Sequence, residues 1–137
     1  MIVVDTGAVF ALIDATDRHH RIIRGLYEDD GSEWVLPWAI LPEVDYLVGR
    51  FLGRRPRAHW MKDLAEGLFT VEWGTPEDLR RGEELCIRYA DLDIGLVDAV
   101  VAAVAERLGA RAIVTLDERD FGAMELAGKP MLLPRGA

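Results

Sequence analysis

The chain opens with a short β-branched apolar run, Ile2-Val3-Val4, that stops at Asp5. Such a run predicts a buried strand, because Val and Ile suit a pleated surface covered on both faces. The period then changes. Residues 7–13 read as helical, and 18–29 as a second helix with Ile22, Ile23, Leu26 and Tyr27 on its apolar face. Gly31 and Ser32 break that pattern, and Trp34-Val35-Leu36 makes the next strand, stopped by Pro37. Residues 39–52 follow as a helix whose first turn is irregular or begins near Pro42, and Gly53 closes it. Arg54 to Pro56 reads as a charged connection before helical spacing resumes over 57–68. Phe69 to Trp73 alternates weakly and predicts a third strand. Thr75-Pro76 is a helix-start signal, with threonine as cap and proline in the first turn, for a helix running to about Ala90. Asp91 to Gly95 predicts a loop, and 96–108 a strongly apolar helix closed by Gly109. Ala112 to Leu116 and Met131 to Leu133 supply a fourth and a fifth strand.

Strands alternating with helices predict a single α/β domain over residues 1–137, with a mostly parallel sheet of four to five strands and helices on both faces. In such sheets functional groups gather beyond the carboxyl ends of the strands, near the point where strand order reverses. A chain of 137 residues is long enough for one proper core, and its interspersed charges and half-apolar composition mark it as globular. The apolar runs are broken by charge before reaching bilayer-spanning length, and Asp5 interrupts the start too early for a secretory signal. Cys86 is the sole cysteine, without a disulfide partner or a zinc-ligand neighbour. The expectation is a cytoplasmic protein with no membrane segment.

The formal charge is −8, from 24 acidic and 16 basic residues. That balance excludes a general nucleic-acid coat, which needs a basic surface. It permits a nuclease whose clustered carboxylates are neutralised by divalent cations. The basic residues fall in two groups: Arg18, His19, His20, Arg21 and Arg24, then Arg50, Arg54, Arg55, Arg57, His59 and Lys62.

Charge placement turns the fold expectation into candidate chemistry. Asp5 follows the first strand directly, and Asp117 lies one residue past the fourth. If these strands are neighbours, both carboxylates open on one edge. Glu43 begins the helix after the second strand, at the same edge. Taken singly, Asp5 is as readily a helix N-cap. Asp98 is the most informative acid, embedded in Leu-Val-Asp-Ala-Val-Val-Ala-Ala-Val-Ala on a helix apolar nearly all round. A buried, unpaired carboxylate costs several kcal/mol or takes up a proton, so Asp98 needs a cation or another polar group from elsewhere in the fold. The plain alternative is a carboxylate satisfied by backbone donors at the helix N-terminus. Asp45 points to a different side of its helix from Glu43, Asp93 is a candidate cap for the apolar helix, and Asp120 can support the site. Thr6 and Thr115 flank the key strands with hydroxyls able to orient a water or a carboxylate. Tandem His19-His20 lacks metal-ligand spacing and reads as a surface pair, and the four tryptophans as core or interface.

Four fragments now combine: Val4-Asp5-Thr6-Gly7, Leu41-Pro42-Glu43-Val44, Asp93-Ile94-Gly95-Leu96-Val97-Asp98-Ala99, and Val114-Thr115-Leu116-Asp117-Glu118-Arg119-Asp120-Phe121. In order and spacing, over nearly the whole chain, they resemble the PIN-domain family, and within it the VapC-type toxins of VapBC toxin–antitoxin pairs. The resemblance implies a three-layer fold with strand order 3-2-1-4-5. It implies Asp5, Glu43 and Asp98 as an acidic triad with Asp117 as fourth member, a place where the family often carries asparagine. Gly7 stands where serine is frequent. The resemblance further implies a metal-dependent endoribonuclease leaving 5′-phosphate and 3′-hydroxyl ends, a homodimer, and a VapB-like antitoxin that inserts a segment into the active-site groove.

An all-carboxylate ligand set selects Mg²⁺ or Mn²⁺ over zinc. Asp5 and Asp98 are expected as direct ligands, with Glu43 and Asp117 at a second or water-mediated position, Asp120 competing with Asp117 as fourth acid. Arg50, Arg54, Arg55, Arg57 and Lys62 are candidates for holding the RNA backbone. A phosphoacceptor signalling domain is a poor alternative, because the third strand ends at Trp73-Gly74 without an acceptor Asp and the only lysines are Lys62 and Lys129. A haloacid-dehalogenase-type phosphatase would need Asp-x-Asp after the first strand, where this chain has Asp5-Thr6-Gly7. The surviving non-enzymatic alternative is a PIN-fold module that binds RNA or a partner without cutting.

Overall fold

The computed structural model describes residues 1–135. Its strands are β1 (Ile2–Val4), β2 (Trp34–Pro37), β3 (Thr70–Glu72), β4 (Ala112–Val114) and β5 (Met131–Leu133). They form one sheet, parallel at every pairing, in the order β3-β2-β1-β4-β5. Its helices are α1 (Thr6–Ile13), α2 (His20–Asp30), α3 (Ile40–Phe51), α4 (Arg54–Ala65), α5 (Pro76–Arg88), α6 (Leu96–Leu108) and α7 (Glu118–Ala123), with 3₁₀ turns at Gly31–Glu33 and Ala90–Leu92. The expected fold class and strand order are both present.

β1 is central, with Val3 in register with Val35 on one side and Ile113 on the other. Its three residues are buried, which is why the run carries no polar position. Strand order reverses between β1 and β4, so the carboxyl ends of those two strands define the crevice where side chains from separate segments can meet. α1 packs against α2 and α3, and α3 against α4. α5 and α6 form the other helical pair. They approach closely because Gly82 faces Ala99; a Cβ built on Gly82 would lie 3.4 Å from that of Ala99. α6 buries an unbroken run from Ala99 to Ala105, so this helix is a core element and not an amphipathic cover.

Ion pairs latch the far end of that pair. Arg107 donates to Asp78 at 2.8 and 3.1 Å and to Glu72 at 2.7 Å, while Arg81 donates to Glu106 at 2.7 and 3.2 Å. Asp78 is 2% exposed and also accepts from the Thr75 amide at 3.0 Å, so its charge is fully engaged.

Three local expectations change. α4 begins at Arg54 and not near residue 57: Gly53, at φ 100°, reverses the chain directly into the helix, and Pro56 falls in the first turn, where an amide hydrogen has no intrahelical acceptor. Asp93 does not cap α6. It adopts a left-handed conformation (φ 52°) after the 3₁₀ turn, and Gly95 occupies the cap position. The fourth strand ends at Val114, leaving Thr115 and Leu116 beyond it, and the unanticipated α7 starts immediately after Asp117. Among the described residues no helix is long and apolar enough to cross a membrane.

Candidate active site

Asp5 leaves β1 and caps α1, so the cap reading and the site reading describe the same residue. Its amide donates to the Val114 carbonyl at 2.9 Å, carrying the β1–β4 ladder one step past the strand and fixing the backbone from which the side chain projects. Asp5 Oδ1 accepts from the Thr6 amide at 2.8 Å, and Oδ2 accepts from Thr115 Oγ1 at 3.0 Å. Thr115 Oγ1 in turn accepts from the Asp117 amide at 2.9 Å, and Asp117 Oδ1 accepts from the Asp120 amide at 3.2 Å. A single buried hydroxyl therefore ties the end of β1 to the end of β4. The Thr6 hydroxyl is buried and has no hydrogen-bond partner among the described residues.

Asp98 enters from a different direction, in the first turn of α6, and is half-buried. Burial raises its pKa first, followed by the charges of Asp5, Asp117, Asp120 and Glu43, to about 7. No leading influence acts the other way, so the carboxylate lacks the backbone donors that the plain alternative required. Asp5 is also raised, chiefly by burial, with Glu43 and Asp117 adding repulsion; the donors Thr6 and Thr115 counter part of it. Asp120 is pushed up by desolvation and by Asp117 beside it.

Glu43 sits in the first turn of α3, exposed, and its charge is felt at both Asp5 and Asp98. Asp98, Asp117 and Asp120 each offer a carboxylate oxygen, and these lie within 4.8 Å of one another. Asp117 and Asp120 therefore belong to one acidic group and are not alternatives. Asp45 faces elsewhere and pairs with Arg57 at 3.0 Å.

The donor chemistry fits a hard cation. The group is oxygen-only, without His or Cys; Asp98 is raised by the acids around it, and Asp120 is raised by desolvation and Asp117, with Arg119 countering part of it. A divalent ion is the species that lets all of them ionise together.

Of the basic candidates, Arg57 is occupied by Asp45, whereas Arg50, Arg54, Arg55 and Lys62 are exposed and have no ion-pair partner among the described residues. His20 is no simple surface residue: its Nδ1–H donates to the Ala11 carbonyl at 2.8 Å and anchors α2 to the end of α1. Trp34 and Trp60 are core residues, while Trp73 is 73% exposed. The sequence pattern assigns Phe51 no role, yet its ring is 64% exposed beneath the Arg50 guanidinium.

The PIN domain family profile matches residues 2–125. Ribonuclease VapC26 of Mycobacterium tuberculosis (strain ATCC 25618 / H37Rv) is 27% identical over 126 residues, covering 92% of this chain and 93% of that protein. Among solved structures, Mycobacterium tuberculosis VapC20, described as a sarcin–ricin-loop-cleaving toxin, superposes with a TM-score of 0.81 at 23% identity, over 93% of this chain and 98% of its own. VapBC from Salmonella typhimurium, solved bound to DNA, gives a TM-score of 0.68 at 18% identity, over 96% of this chain and 95% of the matched one. At these identities the structural likenesses establish a shared fold.

Proposed function

This chain belongs to the PIN-domain family, and from that premise we propose that it is a Mg²⁺-dependent endoribonuclease acting as the toxin of a type II toxin–antitoxin pair. One observation carries the reading: acids from the ends of β1 and β4, from α3 and from α6 converge electrostatically on Asp98 without a protein cation to balance them. The similarity to a protein named a ribonuclease supports RNA as substrate, and likeness to toxin–antitoxin complexes supports a VapB-like antitoxin as partner. A homodimer in the cytoplasm completes the proposal.

Asp5 and Asp98 would hold the cation directly, with Glu43 and Asp117 at a second or water-mediated position and Asp120 in support. When bound, Mg²⁺ or Mn²⁺ supplies Lewis acidity that activates water and stabilises charge developing on the phosphoryl group. The remaining work falls to the chain itself. Thr115 aims the Asp5 carboxylate by donating to Oδ2, and the Thr6 amide holds Oδ1, so this acid is positioned before any substrate arrives. The Asp117 amide fixes the Thr115 hydroxyl in the orientation that makes this donation possible. Asp98 has no such donors and holds a proton near neutral pH until positive charge enters the site.

The test is incubation of purified protein with a panel of structured and single-stranded RNAs, with Mg²⁺ or with EDTA, beside Asp98→Asn. The expected result is cleavage by the parent protein in Mg²⁺, lost in EDTA and in the variant. Binding without metal-dependent cutting on every RNA would replace this reading with the catalytically silent RNA- or partner-binding module.

A further inference from the structure

α7 carries Asp120 into the acidic group, yet the ties of this stretch to the rest of the fold are few. Asp117 accepts from the Asp120 amide at 3.2 Å, and the chain does not rejoin the sheet until β5 begins at Met131. Over residues 118–129 no backbone-to-backbone hydrogen bond reaches another element among the described residues; the Lys129 amide donates only to the nearby Leu126 carbonyl, at 3.1 Å. Phe121, Met124 and Leu126 are buried and set how deep the segment sits. Apolar burial is non-directional, so it does not by itself fix where the segment stands along the neighbouring helices. Directional contacts must do that.

Two side chains supply them, one at the end of α5 and one on α6. The Glu125 amide donates to the Tyr89 hydroxyl at 2.8 Å, and the Ala127 amide donates to Glu106 Oε2 at 2.7 Å. Glu106 is a prepared acceptor. Its side chain is 8% exposed, and the Arg81 guanidinium grips both oxygens, at 2.7 Å on Oε1 and 3.2 Å on Oε2. The carboxylate is therefore aimed before the Ala127 amide meets it, and a hydrogen bond to a charged acceptor is stronger than a neutral one. Arg88 also reaches Glu125 at 3.3 Å, but both side chains are largely exposed and such a pair contributes little. Glu106 shares α6 with Asp98. One helix thus meets the returning segment twice: in its first turn, where a carboxylate oxygen of Asp98 lies within 4.8 Å of those of Asp117 and Asp120, and in its last turn, through Ala127. Slippage of α7 against α6 would change the first spacing directly, and the second contact opposes it.

We infer that Glu106 and Tyr89 are positioning residues of the acidic site: by holding the amides of Ala127 and Glu125 they keep α7 in register, and so keep Asp120 against Asp98 and Asp117. The inference rests on those acids binding a divalent ion. Arg107, the next residue of α6, donates to Asp78 and Glu72 and so provides a control on the same helix.

The experiment measures Mn²⁺ binding to the full chain by titration calorimetry, with hydrogen exchange read over residues 118–129. Tyr89→Phe removes one acceptor and keeps the ring. Glu106→Gln keeps the shape but puts an amide group where Arg81 or Ala127 needs an oxygen. Together they are expected to weaken Mn²⁺ binding about tenfold, the lower end of the range for groups that orient metal ligands. Exchange in this segment should quicken while α6 stays protected. Half-maximal RNA cleavage should need about tenfold more Mg²⁺, with the rate at saturating Mg²⁺ largely kept. In an Asp120→Asn background the same two changes are expected to cost no further affinity, because the acid through which they act is already altered. Arg107→Ala is expected to bind Mn²⁺ as the parent does. Unchanged affinity in the folded double variant overturns the inference. So does an equal loss in the Asp120→Asn background, or a matching loss in Arg107→Ala, either of which would make the tethers a general support of the fold. Should the double variant fail to fold, Tyr89→Phe decides, since it leaves the Arg81–Glu106 pair intact: parental affinity and exchange overturn the inference, and a loss of affinity confined to chains that keep Asp120 upholds it. A parent chain that binds no Mn²⁺ removes the cation-site reading and the inference with it. A parent that binds, beside a double variant that binds equally, removes the inference alone.

Discussion

Replacing Asp98 by asparagine should make the metal-free protein more stable at pH 8 and leave it nearly unchanged at pH 3. Asp98 titrates at about 7 in the folded chain against an ordinary value of 3.8, because burial and four neighbouring acids disfavour its charge. A group raised in this way binds more protons folded than unfolded between about pH 4 and 7, so its contribution is intact below that window and is lost as pH rises through it. At 1.36 kcal/mol per pH unit the ceiling is about 4 kcal/mol. The residue is only half-buried and shares its repulsion with coupled acids, which brings the expected gain to roughly 2 kcal/mol. For a chain of this size that is an increase of about 6–10 °C in Tm at pH 8. At pH 3 the carboxyl carries its proton both folded and unfolded and Asn is close to isosteric, so the change should stay within about 0.5 kcal/mol. Mg²⁺ should reverse the ranking in part: free cation at about ten times Kd stabilises the parent by roughly 1.4 kcal/mol and the variant far less. Thermal and urea melts at both pH values, in EDTA and in Mg²⁺, measure all four quantities. Equal Tm for parent and variant at pH 8 in EDTA would refute the claim that unbalanced acids meet at Asp98.

The same electrostatics predicts that the acid limb of RNA cleavage moves to lower pH as Mg²⁺ is raised, because the cation competes with the proton at Asp98; a limb that ignores Mg²⁺ in pH–rate profiles argues against ligation there. Thr115→Val removes the donor to Asp5 and the acceptor for the Asp117 amide together, and should cost about 1–3 kcal/mol in urea unfolding and roughly 10- to 100-fold in Mg²⁺ affinity by titration calorimetry. Arg107→Ala leaves Asp78, 2% exposed, without its counter-ion and should destabilise by about 3–5 kcal/mol, while Mg²⁺ affinity in the folded fraction is retained.

The acids at strand ends are legible in the sequence because a strand stops where a short β-branched run meets a charge, and Ile2-Val3-Val4-Asp5 does so without ambiguity. Asp98 is legible for a related reason: a carboxylate inside an apolar helix must be compensated from outside that helix. What stays hidden depends on contacts between distant segments. That Asp120 closes up with Asp98 and Asp117 follows from α7, a six-residue helix too short to announce itself by periodicity. The start of α4 is obscured because a proline three residues into a helix looks, in sequence, like a break; only the left-handed φ of Gly53 shows the turn already made. Spacing does not sort the candidate arginines either. Arg57 and its neighbours are alike in sequence, and the partner that removes Arg57 from the free set, Asp45, lies 12 residues away on another helix.

Two acids of the site are prepared in opposite ways, and the contrast indicates how it is assembled. Asp5 accepts two hydrogen bonds through its carboxylate, one from a backbone amide and one from a hydroxyl that is itself oriented by the segment after β4. Its geometry is fixed by the central β1–β4 pair and its charge is partly solvated by those donors. Asp98 hangs from the first turn of α6 amid the repulsion of four acids, with little to satisfy it, so its protonation follows the local charge. A site made only of Asp5-like acids would be rigid, with burial and repulsion already countered in part by its donors and so less to gain from a cation. One made only of Asp98-like acids would repel itself open. Joining a pre-aimed carboxylate to an unsatisfied one keeps the pocket in place while leaving a large share of the repulsion to be relieved by binding, which favours a divalent ion over a proton as pH rises above about 7.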